Sequence, residues 1–305
     1  MTSSPRVVFG MPAYNRPGSL AQVLESLLTQ TRTDFAIVIV DDSPSPDVQA
    51  IVEAYRATDP RLVYEANPVR LGMIGNWRRA FDRATELFPS AEYFAWVSDH
   101  DMWHPRWLEV LAGVLDTYPQ VVLAYPQMQR VFPNERRAIT RGFDSFGVTS
   151  RIERLRRATG EMTAGNCIYG LFRVSALAQA GVFRPVLMPD RQVLLTLVML
   201  GEFRHVPEVL WYREVAGVFS FSRQRRMFFT DRVPLHTYLP ANVEHFGLAL
   251  WDLVVKGRGR PAFGRVRGLG YALAQMAFSA RRELTRSDAD WRAFFKRPAA
   301  SGGNA

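Results

Sequence analysis

The chain has 305 residues, 48% hydrophobic and 22% charged, the balance of a soluble globular protein able to bury a sizeable core. Its single cysteine, Cys167, excludes an internal disulfide and a multi-cysteine zinc site, and its longest apolar run, residues 193–200, is too short to cross a membrane. A formal charge of +9 leaves two readings: a solvated basic face, or a partner that is nucleic acid, an acidic membrane surface or a phosphorylated small molecule.

Residues 6–12 read as a buried strand. The chain enters it without the basic-then-apolar pattern of a leader, so a cytoplasmic location is expected, and the lone cysteine fits a reducing compartment. After a loop at 13–18, Leu20, Val23, Leu24, Leu27 and Leu28 recur at helical spacing. The unit repeats: an apolar, β-branched run at 35–40 ends in Asp41-Asp42, and Ser43-Pro44-Ser45-Pro46 turns the chain into a helix carrying Val48, Ile51, Val52 and Tyr55. A third strand at 62–67 precedes a helix with Met73, Trp77, Ala80, Phe81, Ala84 and Phe88 on its apolar face. A fourth, at 93–97, leads to a helix burying Leu108, Leu111, Val114 and Leu115, and a fifth lies at 121–125.

Strands alternating with helices through short loops predict an α/β fold, Rossmann-like, with a mainly parallel central sheet and helices on both faces. Residues 132–150 read as a long loop, 151–159 as a short basic helix, 167–172 as a strand and 174–180 as a helix stopped by Gly181. Asp190 is expected to cap an apolar helix at 191–200, with a strand at 203–213. Beyond 234 comes a C-terminal helical extension. Val243, Phe246, Leu250, Leu253 and Val254 mark one amphipathic face, and Phe263, Val266, Leu273, Met276, Ala280 and Leu284 a second. A turn at 256–261 joins them, and the tail at 299–305 reads as disordered.

The chemistry concentrates at Ser98-Asp99-His100-Asp101. Two carboxylates at i and i+2 on a strand end can both reach a hard divalent cation, Mn2+ or Mg2+, which keeps open positions for phosphate oxygens. Taken alone, the pattern fits solvated loop acids equally well. Tyr14, Asp41-Asp42 and Asp99/Asp101 all follow carboxyl ends of strands, however, where parallel sheets bind ligands, so they are expected in one crevice. A carboxylate there can accept hydrogen bonds from a nucleobase.

Met11-Pro12-Ala13-Tyr14-Asn15-Arg16, Ser26-Leu27-Leu28-Thr29-Gln30-Thr31, Val40-Asp41-Asp42-Ser43, Asp59-Pro60-Arg61, Asn76-Trp77 and Val97-Ser98-Asp99-His100-Asp101 together resemble, in order and spacing, the family 2 glycosyltransferases over roughly residues 5–215. The resemblance implies a GT-A fold and transfer of a sugar, with inversion, from a nucleotide diphosphate-sugar donor. It implies that Pro12, Tyr14 and Asp42 line the base pocket, with Arg16 and Asn76 also on the donor side. Asp99 lies by the ribose and diphosphate, Asp101 with Asp99 holds the metal, and Asp190 is the general base. It divides the chain into a nucleotide-sugar half at 1–130, an acceptor and base half at 131–233, and C-terminal helices at 234–305. Ser98 and His100 replace acids of the commonest central motif, Arg70 replaces an asparagine and Pro189 an acid. Gln224-Arg225-Arg226-Met227-Phe228 only approximates the motif of processive members, which favours single-sugar transfer.

Several residues keep two readings. Asp190 is a base or a plain cap, its helix terminus favouring the ionised form; His100 is a ligand or a solvated partner; Trp103 stacks on sugar or packs; Arg16 and Arg70 meet phosphate or water. A nucleotidyltransferase would want a Gly-rich basic loop after the first strand, which Pro12-Ala13-Tyr14-Asn15-Arg16 lacks. Acids in the crevice would repel a polyanion, so nucleic acid is not expected as a partner. The acceptor is open: a glycan, lipid-linked, natural-product or protein hydroxyl. The C-terminal helices pack on the catalytic part, pair two copies as a homodimer, or touch an anionic membrane at its inner face, the first being the simplest.

Overall fold

A computed structural model of the chain describes residues 4–132, 137–139, 142–162, 165–214, 220–230, 232–257 and 260–295. The basic positions Arg136, Arg141 and Arg258 and the tail at 299–305 lie outside them. The first half follows the expected alternation: β1 (Val7–Ala13), α1 (Pro17–Leu28), β2 (Phe35–Asp41), α2 (Asp47–Arg56), β3 (Leu62–Ala66), α3 (Gly72–Leu87), β4 (Tyr93–Trp96), a two-residue β5 (Met102–Trp103), α4 (Trp107–Thr117) and β6 (Val121–Val131). Then come β7 (Arg137–Ile139), α5 (Arg151–Glu161), a 3-10 turn at Gly165–Tyr169, β8 (Leu171–Arg173), α6 (Val174–Ala180), α7 (Pro189–Leu200) and β9 (Glu202–Glu214). The C-terminal part holds α8 (Phe221–Phe228), a 3-10 turn at Leu235–Tyr238, α9 (Ala241–Leu250), a π-helical turn at Trp251–Val255, α10 (Arg260–Phe263) and α11 (Arg265–Phe295).

The strands form one sheet in the order β3-β2-β1-β4-β8-β6-β9-β5, with β7 beside β6. β3, β2, β1, β4, β6 and β9 run one way, and β8, β7 and β5 run against them. Alternation along β1 divides the core: Val7, Phe9 and Met11 pack with α1, α2 and α4 on one face, while Val8 packs with α3, α5, α6 and α7 on the other. At the centre of the second face Trp96 donates through Nε1 to the Trp77 carbonyl at 2.9 Å and meets Phe94, Phe172 and Phe183 edge-on.

Three expectations change, and Trp103, given two readings, takes the packing one. The strand at 167–172 begins only at Leu171, because the Cys167-Tyr169 stretch is wound into the 3-10 turn. The long loop at 132–150 holds β7, and beyond it Ser145 is fully buried and its Oγ accepts from the Phe203 amide at 2.9 Å, so tertiary contacts organise a stretch with no periodicity of its own. Trp103 is buried in β5 and packs rather than faces solvent. On α11 the face turned to the body is Ala272, Gln275, Ser279 and Arg282, and Val266, Leu273 and Leu284 are exposed.

α9 braces the turn before α7. Glu244 accepts from the Leu187 amide at 3.0 Å, and buried His245 donates from Nε2 to the Leu187 carbonyl at 2.7 Å. Burial pulls the His245 imidazole down to about 4. The unfolded chain therefore takes up a proton that the fold refuses, and stability present at neutral pH falls as pH drops from about 6.5 toward about 4, by about 3 kcal/mol in total. Urea denaturation across that window is expected to show a steeper loss for the native chain than for His245→Gln.

Candidate active site

β1, β2 and β4 are adjacent and parallel, so their carboxyl ends open on one edge. There a cavity of about 190 Å³ is lined by Pro12, Tyr14, Arg16, Asp42, Asn76 and Asp99 among others, six of the eight residues expected at the site. Asp101 and Asp190 do not line it.

Asp42 is tied into the fold. Its Oδ1 accepts from Asn67 Nδ2 at 2.9 Å and the Leu71 amide at 2.7 Å, and its Oδ2 from the Gly72 amide at 2.9 Å. It thereby caps α3, which has no capping side chain at its own N-cap, and an anion suits that end of the helix. A carboxylate has about four acceptor positions, so about one remains, on Oδ2, for a ligand N–H. Asn76 is likewise occupied: its Nδ2 donates to the carbonyls of Ala13 and Val40, both at 3.1 Å, and its Oδ1 accepts from Asn67. It clamps the ends of β1 and β2 while lining the cavity. Tyr14 is 41% exposed, and the Arg70 guanidinium lies 4.7 Å over its ring, giving the cavity a cationic lip.

The acidic turn is held from three sides. Asp99 Oδ2 accepts from the Tyr14 amide at 2.9 Å, and its backbone carbonyl accepts from Ser19 Oγ at 2.8 Å. His100 sits between the acids, with Nδ1 2.8 Å from Asp99 Oδ1 and Nε2 4.0 Å from Asp101 Oδ1. Asp101 is 1% exposed, and its Oδ1 accepts from the Glu214 amide at 3.0 Å because β5 pairs with the end of β9. Burial raises its pKa, opposed by His100, Ser98 and that amide. Among the described residues no three His, Cys, Asp or Glu side chains group as metal ligands. Asp99 and His100 line the cavity, whereas Asp101 is buried and does not.

Asp190 is not the cap of α7. Met188, at φ +47°, holds that position, Pro189 follows and Asp190 stands in the first turn. The helix-end amides do lower its pKa, as the dipole requires, but burial outweighs them and the net direction is up. Tyr169 was not expected at the site. It lines the cavity, packs on Trp77 and Trp211, and its phenol is held protonated by burial and by the charges of Asp101, Asp190 and Asp99. Its place on a 3-10 turn leaves no periodic signal. Arg213 adds a positive charge to the same acids, and its NH1 donates to Asn166 Oδ1 at 2.6 Å.

Met227 of α8 also reaches the cavity, so the Gln224–Phe228 stretch belongs to the site although its sequence only approximates a known motif. Gly72 makes this approach workable: its φ is +71°, and a Cβ there would lie 2.9 Å from the Phe228 carbonyl oxygen. Gly72→Ala is expected to cost about 1–2 kcal/mol in backbone strain and to weaken nucleotide binding by displacing α8, as thermal melting and ligand titration would show.

A model of glycosyl transferase family 2 matches residues 9–180, over half of the chain and all of the cavity lining except Met227. The chain belongs to glycosyl transferase family 2. It is 28% identical over 117 residues to the GalNAc(5)-diNAcBac-PP-undecaprenol beta-1,3-glucosyltransferase of Campylobacter jejuni, covering 38% of this chain and 34% of that protein. To the putative colanic acid biosynthesis glycosyl transferase WcaA of Escherichia coli it is 26% identical over 110 residues, 36% of this chain and 38% of the other. The chain thus aligns with about a third of the length of these relatives.

Solved structures match more widely and show the fold. S. aureus TarS 1-349, in complex with UDP, has a TM-score of 0.57 at 16% identity, over 93% of this chain and 92% of that one. The mannosyltransferase PcManGT of Pyrobaculum calidifontis, in complex with GDP-Man and Mn2+, has a TM-score of 0.53 at 16% identity, over 97% and 82%. The α/β, GT-A-like architecture with C-terminal helices is therefore shared along nearly the whole chain.

Proposed function

We propose that this chain moves one sugar, with inversion, from a nucleotide diphosphate-sugar to an acceptor hydroxyl. The observation that carries the reading is the convergence of Pro12, Tyr14, Arg16, Asp42, Asn76 and Asp99 on one cavity at the carboxyl edge of the sheet. At about 190 Å³ the cavity is smaller than the ~300–1,000 Å³ of a complete small-molecule site, so it takes one end of the donor, the nucleoside, and leaves the diphosphate over the acidic turn.

In this reading Tyr14 and Met227 flank the base, Asp42 accepts one base N–H, and Arg16 and Arg70 face the phosphates. Asp99 and Asp101 would hold Mn2+ or Mg2+, which would supply positive charge for the departing diphosphate. The acceptor hydroxyl attacks the anomeric carbon from the face opposite the leaving group, and Asp190 removes its proton. Burial makes Asp190 a stronger base than a solvated carboxylate, and Arg213 keeps an ionised fraction available. Residues 1–130 serve the donor, joined by Tyr169 and Met227, 131–233 otherwise serve the acceptor and the base, and the helices beyond 234 brace them. The complexes of TarS with UDP and of PcManGT with GDP-Man and Mn2+ support the donor class and the cation in general terms.

Screening nucleotide diphosphates and their sugars by thermal shift, with and without Mn2+, tests the reading. A metal-dependent rise in melting temperature with one nucleotide is expected; no stabilisation by any nucleotide diphosphate would refute it.

A further inference from the structure

The C-terminal segment has two faces of opposite character. On α11, a Cβ at Gly268 would strike the Leu253 carbonyl oxygen, so that side lies against the π-helical turn. Ala272, Gln275, Ser279 and Arg282 share that side and are buried. Gln275 Nε2 donates to Gln192 Oε1 at 2.8 Å, and Arg282 NH2 donates to the Met162 carbonyl at 3.0 Å. Packing on the catalytic part is accomplished by this face with Tyr271, Ala274 and Phe278 at its flank.

The other face is apolar and open. At 3.6 residues per turn Val266, Leu269, Leu273 and Leu284 fall within about 60° of arc, opposite Gly268. They are 87%, 43%, 53% and 68% exposed. A stripe of this kind runs roughly 27 Å along the helix. Beside the start of α11, Trp251 and Val255, one turn apart, are both half exposed.

Charge says what covers it. Lys256, Arg258, Arg260, Arg265 and Arg267 follow one another with no acid between them, and the last 65 residues hold eleven Lys and Arg against five Asp and Glu. Lys256, Arg265 and Arg267 are exposed beside the apolar residues. A second copy laid on this face would bring two basic segments together. An acidic phospholipid surface accepts both parts, the apolar stripe in the headgroup boundary and the cations at lipid phosphates. No helix among the described residues is long and apolar enough to cross a membrane.

We propose that the outward face of α11, with the Trp251–Val255 turn, docks on an anionic bilayer. The proposal rests on the C-terminal helices and is independent of the donor-site reading. Its test is co-sedimentation of the full chain with vesicles of phosphatidylcholine alone and with a third of phosphatidylglycerol. Binding is expected to the acidic vesicles only, weakening about tenfold or more between low and high salt. Val266→Glu with Leu273→Glu, and separately Arg265→Glu with Arg267→Glu, are each expected to lower acidic-vesicle binding about tenfold or more while melting temperature and donor binding stay unchanged. Equal binding to both vesicle types, or to neither, overturns the proposal. So does sedimentation showing a dimer that the stripe variant dissolves without loss of vesicle binding.

Discussion

Asp99→Asn is expected to lower kcat for sugar transfer by about a thousandfold, about 4 kcal/mol of transition-state stabilisation, with the fold preserved. Asparagine keeps the side-chain shape and one oxygen to accept from the Tyr14 amide, so the variant removes charge rather than architecture. What is lost is the anionic partner of His100 and, in the proposed mechanism, half of the carboxylate pair that holds a cation against the diphosphate. Thermal melting within a few degrees of the native chain, together with loss of metal-dependent nucleotide stabilisation, would complete the result. Transfer within about threefold of native would sink the assignment of the acidic turn.

The second large effect belongs to Asp190→Asn. Here kcat is expected to fall by about 10²–10⁴, the range for removing a general base. Nucleotide diphosphate affinity should stay unchanged, because Asp190 does not line the donor cavity. That split between rate and donor binding separates the two acids experimentally. The native pH profile supplies a second readout. The base must be ionised and its pKa is raised by burial, so activity should climb with pH through a limb lying above the ordinary carboxylate value of about 4. A limb at or below that value would argue that Asp190 is not the group titrating.

The cavity at the carboxyl edge of the sheet was legible from the sequence because it is built from strand ends. Parallel β-branched runs terminate in Tyr14, Asp42 and Asp99, and a parallel sheet aligns such ends whatever the loops do, so local pattern was enough to bring them together. Tyr169 was not legible. It reaches the cavity from a 3-10 turn between α5 and β8, placed there by packing on Trp77 and Trp211, both far away in the chain. Met227 is the same case, since α8 reaches the cavity only because Gly72 lets the Phe228 backbone approach.

What the sequence determined by itself was the alternation of strands and helices, the acidic strand ends and the family they resemble, all properties of short windows and their order. Only the tertiary structure decided which acceptor positions are already occupied. Asp42 and Asn76 look like free binding groups in the chain, yet each spends most of its hydrogen-bonding capacity on the backbone of neighbouring elements. Asp190 shows the same limit for charge. Its position in a helix's first turn predicts a lowered pKa, and burial, which depends on everything packed around it, reverses the sign. The C-terminal helix shows it again: periodicity announced an apolar face with Val266, Leu273 and Leu284, and packing turned Ala272, Gln275, Ser279 and Arg282 inward and left those three exposed. Hydrophobic patterning reports that a surface is apolar, and only the neighbouring elements decide whether it is covered.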